Sequence, residues 1–275
     1  MTVTRLYNAH IIDPSQAIDG IGYLDITDSH ISAVSLGQPA TDATCDKKID
    51  CKQAVLAPGL VDMRVQSADP GAEHLESLAT LLVAAAKGGI TALACLPNTR
   101  PVIDEASAID SLCLRAWRIG GPRLYAYGAA TKGLEGAEMA ELGLMAEAGA
   151  IGFTNGTSAI ANSLTMRRLL AYTSMLDRPF IQHCEDPDLT EKGEMNEGET
   201  STRLGLIGMP AEAEVIILDR DLHLLRRTGG RYHVAHLSTR AAIDAVRRAK
   251  AEGLAVTADT APPYFLLNEL AVSTY

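Results

Sequence analysis

Two histidines stand where side chains could do chemistry: His183 in the run Gln182-His183-Cys184-Glu185-Asp186, and His236 in His233-Val234-Ala235-His236-Leu237-Ser238. Each follows a short apolar run of β texture, so each is expected at a strand end, and imidazoles on neighbouring strands are ligands that a divalent metal accepts. Two imidazoles make an incomplete centre, because a catalytic zinc takes three protein ligands and leaves one position open. A second polar group lies in PGLVDMRVQSADPG, residues 58–71, where Arg64, Gln66 and Asp69 follow an apolar strand drawn over residues 55–63. A guanidinium keeps its charge at any working pH, so Arg64 is a fixed cation. Asn98 in CLPNT and Asn155 in FTNG close two more apolar runs. Cys184 reads as a packed thiol, since nothing nearby lowers its pKa. Glu185 and Asp186 read as loop caps or partners of nearby cations. Residues 188–205, rich in Glu and Gly, read as a mobile loop.

These residues need a frame, and the chain supplies one as a repeating cycle in which a helical stretch ends in Gly or Pro and a strand follows at once. The junctions are Gly88-Gly89 before ITALACL, Gly120-Gly121-Pro122 before RLYAYG, Gly149 before AIGFT, Pro179 before FIQH, Gly229-Gly230 before RYHVAH and Gly253 before LAVTA. Glycine just past a helix end supplies the left-handed cap residue at little steric cost. Strands alternating with helices imply parallel βαβ units, whose chemistry gathers at the carboxyl ends of the strands. Counting residues 55–63 as the first gives seven strands, one short of a closed (β/α)8 barrel, and the chain is expected to be part of a longer protein. Residues 1–54 read differently, as short antiparallel strands punctuated by Asp13-Pro14, Asp19-Gly20 and Asp28-Ser29. The expected organisation is a small β unit over residues 1–54 and an α/β barrel over 55–275.

Composition narrows the partners. A net charge of −10, without clustered Lys and Arg, argues against nucleic acid. No apolar run is long enough for a bilayer span of about 20 residues, and no signal segment opens the chain. Five cysteines without CxxC spacing suggest neither a disulfide framework nor a zinc ribbon, so a cytoplasmic protein with reduced thiols is expected.

The chain resembles a dihydroorotase of the cyclic amidohydrolase superfamily. The likeness runs through PGLVDM, ADPG, GGITALACLPNTRPVID, QHCED, NEGETSTRLGLIGMPAEAE, RDLHLLRRTGGRYHVAHLST and PPYFLLNE. It implies a metal-dependent (β/α)8 barrel of TIM type with a small β-sandwich, and zinc that supplies hydroxide for reversible cyclisation of carbamoyl aspartate to dihydroorotate. The same resemblance marks what is missing. Relatives read PGLVDMHVHLREPG, with two metal-binding histidines and a substrate-binding arginine, and those three positions here are Arg64, Gln66 and Ala68. A carboxylate after the fourth strand is replaced by the FTNG run, with Asn155 nearest; a histidine after the seventh strand is absent from APPYFLL; the proton-shuttle Asp would fall beyond Tyr275. His183, His236 and the substrate-binding Asn98 remain.

Three readings follow. In the first, the chain is a catalytically inactive homologue in pyrimidine biosynthesis that needs no cofactor and serves as structural partner of the aspartate transcarbamoylase catalytic chain, itself a homodimer. In the second, His183, His236 and Glu185 or Asp186 rebuild a zinc centre and the chain is an active cyclic amidohydrolase. In the third, Arg64 and Asn98 bind a small anion in the barrel mouth. The position between His183 and His236 is expected to be empty or filled by a side chain such as Arg64.

Overall fold

The computed structural model describes residues 2–37 and 45–272. Tyr275, beyond which the proton-shuttle Asp is expected, lies outside the described residues. Two compact units divide after Leu60.

The first unit is a five-stranded sheet. Strands β1 (Val3–Asp13), β2 (Ile18–Thr27) and β3 (His30–Leu36) form antiparallel hairpins, and β4 (Lys47–Asp50) and β5 (Val55–Leu56) run parallel to the other edge of β1. Asp13 makes the first turn by accepting from the Ser15 amide at 2.9 Å, and Asp28 makes the second in a left-handed conformation at φ 54°. Arg5 on β1 and Asp25 on β2 form a buried pair through two contacts of 2.7 Å, with Tyr23 stacked under the guanidinium at 4.6 Å.

The strand drawn over residues 55–63 is in fact two. Pro58 has no N–H to give a ladder and Gly59 costs backbone entropy in a strand, so Val55–Leu56 stays with β1 and a new strand, β6 (Leu60–Val65), starts after them. The division of the chain accordingly falls after Leu60 and not after Ala54.

The second unit takes the predicted cycle: α1 (Leu78–Lys87), β7 (Ile90–Cys95), α2 (Ala106–Ile119), β8 (Arg123–Ala126), β9 (Gly128–Ala129), α3 (Leu142–Glu147), β10 (Phe153–Thr154), α4 (Ser163–Met175) and β11 (Phe180–His183). Then come α5 (Pro187–Thr190), β12 (Met195–Asn196), α6 (Glu199–Leu204), β13 (Gly208–Met209), α7 (Glu212–Thr228), β14 (Tyr232–Ala235), α8 (Arg240–Ala251), β15 (Val256–Ala258) and α9 (Pro262–Leu266). Strands β6-β7-β8 form one sheet and β9-β10-β11-β14-β15 another. Only Tyr127 separates β8 from β9, so one bent strand carries the series from the first sheet to the second. The bend follows from packing: a methyl group on Gly128 would stand 2.9 Å from Met145 Sδ and 3.0 Å from the Phe153 ring. The seven barrel positions read from the sequence are thus all occupied by strand.

Helices cover the outer face. Helix α8 buries Ala242, Ala245, Val246 and Ala249, the spacing of one helical stripe, and starts at Thr239, whose hydroxyl accepts from the Ala242 amide at 3.2 Å. Phe153, Phe180, Tyr232, Met166, Leu169 and Leu218 fill the layer between helices and strands, while a smaller cluster of Ala94, Leu96, Tyr127, Ile181 and Ala235 packs on the other face. Removing a buried aromatic from the outer layer would cost about 3–5 kcal/mol. One carboxylate is enclosed in that layer: Asp221 of α7 accepts from Tyr232 Oη at 2.7 Å, Gln182 Nε2 at 3.2 Å and Arg220 Nε at 2.9 Å. Arg220 continues to the carbonyl of Ile160 at 2.7 Å.

Residues 188–205 correct a second expectation. They hold α5, β12 and α6, and β12 pairs in parallel with β13. Asp186 caps α5 by accepting from Asp188 and Leu189, and Gly205 ends α6 in the left-handed region at φ 71°. Among the described residues no helix is long and apolar enough to cross a membrane.

Candidate functional site

Four strand ends bring the polar residues together: Arg64 from β6, His183 from β11, His236 after β14 and Asp259 after β15. Along β14 the side chains alternate, with Tyr232 and Val234 in the outer layer and Ala235 in the inner cluster. Strict alternation would send His236 outward with Val234. Instead its backbone turns left-handed, φ 45°, and the ring meets His183.

The two imidazoles bond to each other. His183 Nδ1 and His236 Nε2 are 2.7 Å apart, and the rings stack with centroids 4.8 Å apart. His183 Nε2 faces Glu185 Oε2 at 3.6 Å. Burial, helped by the charge of Arg64, pushes the His236 pKa down to about 4. His183 is lowered as well, by burial and Arg64 against the pull of Glu185. Both rings are therefore neutral at pH 7.

Asp259 fixes the His236 turn. Its Oδ1 accepts the His236 backbone N–H, its Oδ2 contacts His233 Nε2 at 3.0 Å, and His233 Nδ1 lies 2.8 Å from Thr257 Oγ1. Burial works to raise the Asp259 pKa, but these hydrogen bonds outweigh it and hold the carboxyl below its ordinary value.

Arg64 donates from Nη2 to the carbonyl of Gly156 at 3.2 Å, while its Nη1 is buried without a hydrogen-bond partner. Asn98 lies against the same glycine, since a methyl group on Gly156 would come 1.7 Å from Asn98 Oδ1, an atom also buried without a partner. His236 Nδ1 is the third such atom. Burial pulls the Arg64 pKa down and Asp259 resists, with the guanidinium remaining charged.

The remaining predicted positions do not join this group. Asn155 is buried and turned to Thr131, donating to its Oγ1 at 2.8 Å and to the Leu134 carbonyl at 3.1 Å. Gln66 is exposed, and Ala68 offers no donor atom. Asp69 is held by Arg115 Nη2 at 2.6 Å and by the Leu78 amide at 3.0 Å, which makes it a tether for α1 and α2. Arg64 does not stand between the histidines, which close that gap themselves. Cys184 is buried, and burial raises its thiol well above the ordinary value, so no thiolate is available. Sequence reasoning missed Asp259 and the role of His233; the signal was a carboxylate directly after the seventh strand.

The resemblance implies zinc, and these residues do not fit it. Each imidazole spends one ring nitrogen on the other, the charge of Arg64 acts on both rings where a cation would have to bind, and Asn155 is already saturated. Among the described residues no three or more His, Cys, Asp or Glu side chains are grouped to hold a metal ion. Two cavities adjoin the strand ends. One, about 870 Å³, is lined by both histidines and by Glu185, Glu194, Glu197, Glu199, Glu214 and Glu269. The other, about 400 Å³, is lined by Arg64, Asp259, His233 and the apolar Met63, Leu96 and Ile181.

Comparison with known proteins bears on this arrangement. The family model described as "Dihydro-orotase-like" matches residues 53–242. A dihydroorotase of Syntrophobacter fumaroxidans is 41% identical over 97% of this chain, and one of Syntrophotalea carbinolica 42% identical over 98%. The chain covers 61% and 62% of those relatives, so it spans about three fifths of their length. Among solved structures, L-hydantoinase (dihydropyrimidinase) from Arthrobacter aurescens superposes with a TM-score of 0.78 at 19% identity, covering 97% of this chain and 60% of that one. Dihydropyrimidinase from Brevibacillus agri gives 0.72 at 18%, covering 99% and 60%. At such identities these structures speak for a shared fold.

Proposed function

The chain belongs to the dihydroorotase-like family, and from that premise we propose that it is a member without catalysis of its own, serving pyrimidine biosynthesis as structural partner of the aspartate transcarbamoylase catalytic chain. The observation that carries the first half is the direct bond between His183 and His236 beside a buried guanidinium. Opening a cyclic amide at neutral pH needs an activated water, and the site holds neither a thiolate nor a ligand set for zinc, while Glu185, the carboxylate that faces His183 Nε2, stands off at 3.6 Å. The fixed charge of Arg64, which already acts on both imidazoles, would repel a zinc ion held by them.

Support for the second half is the outer surface. Helix α2 exposes Trp117 at 78% and Leu114 at 46%, and α4 exposes Met175 at 80%, apolar area that an assembly would bury. The chain is taken to work as a homodimer in that assembly. Metal analysis of the purified protein, dihydroorotate hydrolysis with added zinc, and co-sedimentation with a transcarbamoylase catalytic chain test the proposal. We expect no bound zinc, no turnover and a stable complex; stoichiometric zinc with turnover, or a protein that sediments alone at micromolar concentration, overturns it.

The three unpartnered atoms, on Arg64, Asn98 and His236, support small-anion binding as a second reading. The carboxylates lining the larger cavity oppose an incoming anion, which places this reading behind the first.

A further inference from the structure

Helix α2 turns Ile109, Leu112 and Ala116 inward, where they are buried. Its outward stripe is Asp110, Ser111, Leu114, Trp117 and Arg118, all exposed, and Trp117 is the only tryptophan of the chain. The stripe is balanced about Leu114: Asp110 lies four residues before it and Arg118 four after, Ser111 three before and Trp117 three after. Asp110 and Arg118 stand about 12 Å apart along the axis at the helical rise, too far to pair within one helix. Among the described residues neither side chain makes an ion pair or a hydrogen bond, whereas exposed charges on α7 and α8 find partners in the chain, Arg226 with Glu252 at 2.8 Å and Arg247 with Asp244 at 3.1 Å. Helices α1 and α3 pack beside α2, and each adds an exposed apolar residue, Val83 and Leu144.

A stripe of this kind is complementary to itself. A second α2 laid antiparallel across Leu114 sets leucine on leucine, the large Trp117 over the small Ser111 of the copy, and Arg118 opposite the copy's Asp110, each contact made twice by symmetry. We propose that α2 is the axis of a two-fold homodimer of this chain, with Val83 and Leu144 at its flanks. The inference rests on the homodimer taken above and gives it a face; Met175 on α4 stays available to the transcarbamoylase chain.

Sedimentation velocity and tryptophan emission on the full chain by itself, without any transcarbamoylase, test this. Wild type should be a dimer at micromolar concentration, and the emission of Trp117 should shift to the blue as the dimer forms. Leu114→Arg brings two guanidinium groups together on the axis and should weaken dimerisation by about 100-fold or more, leaving the emission at its exposed position. Asp110→Arg and Arg118→Asp each turn two attractive pairs into repulsive ones and should each weaken it on the order of tenfold. The double variant Asp110→Arg/Arg118→Asp restores the pairing in reverse and should recover the wild-type dimer. All three positions are exposed, so circular dichroism melts should stay at the wild-type value. A monomeric wild type, a dimer indifferent to Leu114→Arg, or a double variant weaker than both singles overturns the inference. So does a chain that is monomeric alone yet loses a complex with the transcarbamoylase chain on Leu114→Arg, since the face would then belong to the transferase. A dimer that Leu114→Arg breaks but that carries zinc and turns over dihydroorotate upholds this inference and defeats the earlier reading of lost catalysis.

Discussion

Gly156→Ala tests the geometry of the site most directly. Gly156 has φ +67°, and a methyl group there would come 1.7 Å from Asn98 Oδ1 and 2.4 Å from Asn98 Cγ. Alanine in the left-handed region costs about 1–2 kcal/mol. Displacing the Asn98 amide from its seat adds roughly 0.5–1.5 kcal/mol for an off-rotamer side chain. The total, about 2–3 kcal/mol, should lower Tm by roughly 5–10 °C in a unit of this size. Gly89→Ala is the control, because Gly89 has φ +78° with nothing within 4 Å of the added methyl, so it pays the backbone cost alone. Circular dichroism melts of both variants separate the clash from the strain. If Gly156→Ala melts no lower than Gly89→Ala, Asn98 does not sit where the structure puts it. The double variant Asn98→Ala/Gly156→Ala should melt above the value that additivity of the singles gives.

Two buried groups predict opposite pH slopes. Burial raises Asp221 to about 6, so its contribution is fully present below the ordinary carboxylate pKa and is lost as pH rises through 6; wild type should gain on Asp221→Asn between pH 7 and pH 4 in urea midpoints. His236, depressed to about 4, contributes stability present above its ordinary pKa of 6.5 and lost as pH falls through 4. Wild type should therefore lose roughly 1–2 kcal/mol relative to His236→Asn over that window, after allowance for solvent screening. Tyr232→Phe removes a donor to Asp221 at 2.7 Å and should cost about 1.5–3 kcal/mol in urea unfolding, with an unchanged midpoint counting against the bond. Arg226→Gln breaks an exposed pair with Glu252 at 2.8 Å, and a change above about 1 kcal/mol would show that exposed pair to be stronger than its surroundings allow.

The barrel series was legible because its punctuation is chemical. Gly89, Gly149, Gly229 and Gly253 all adopt positive φ at helix ends, where the sequence pattern places them. The break at Pro58-Gly59 was hidden inside an apolar run, and only the pairing of Val55–Leu56 with β1 reveals it. Residues 188–205 looked loop-like by composition, yet local caps and the short β12–β13 pair order them. At the site, Arg64 and His183 lie in the last residues of their strands and His236 directly after one, as the strand pattern of the sequence has them. What the sequence could not carry was side-chain direction beyond those ends: His236 turns by a left-handed residue, and Asn155 turns away to Thr131. Such turns are decided by partners distant in sequence, Asp259 and Thr131, and no local pattern encodes them.

The enclosed carboxylate of Asp221 also acts as a key for strand alignment. A parallel ladder repeats evenly, and its backbone bonds alone do not distinguish one alignment of β11 and β14 from the next. Phe180 sits opposite Tyr232 and Gln182 opposite Val234, which puts Gln182 and Tyr232 on the face that meets Asp221. Slippage by a single residue would carry one of those two donors to the opposite face and leave the carboxylate short of a partner in a dry layer, a penalty of several kcal/mol. Misaligned pairings of β11 and β14 are thus disfavoured, and the alignment in which His183 meets His236 is favoured by a residue on the far side of the sheet.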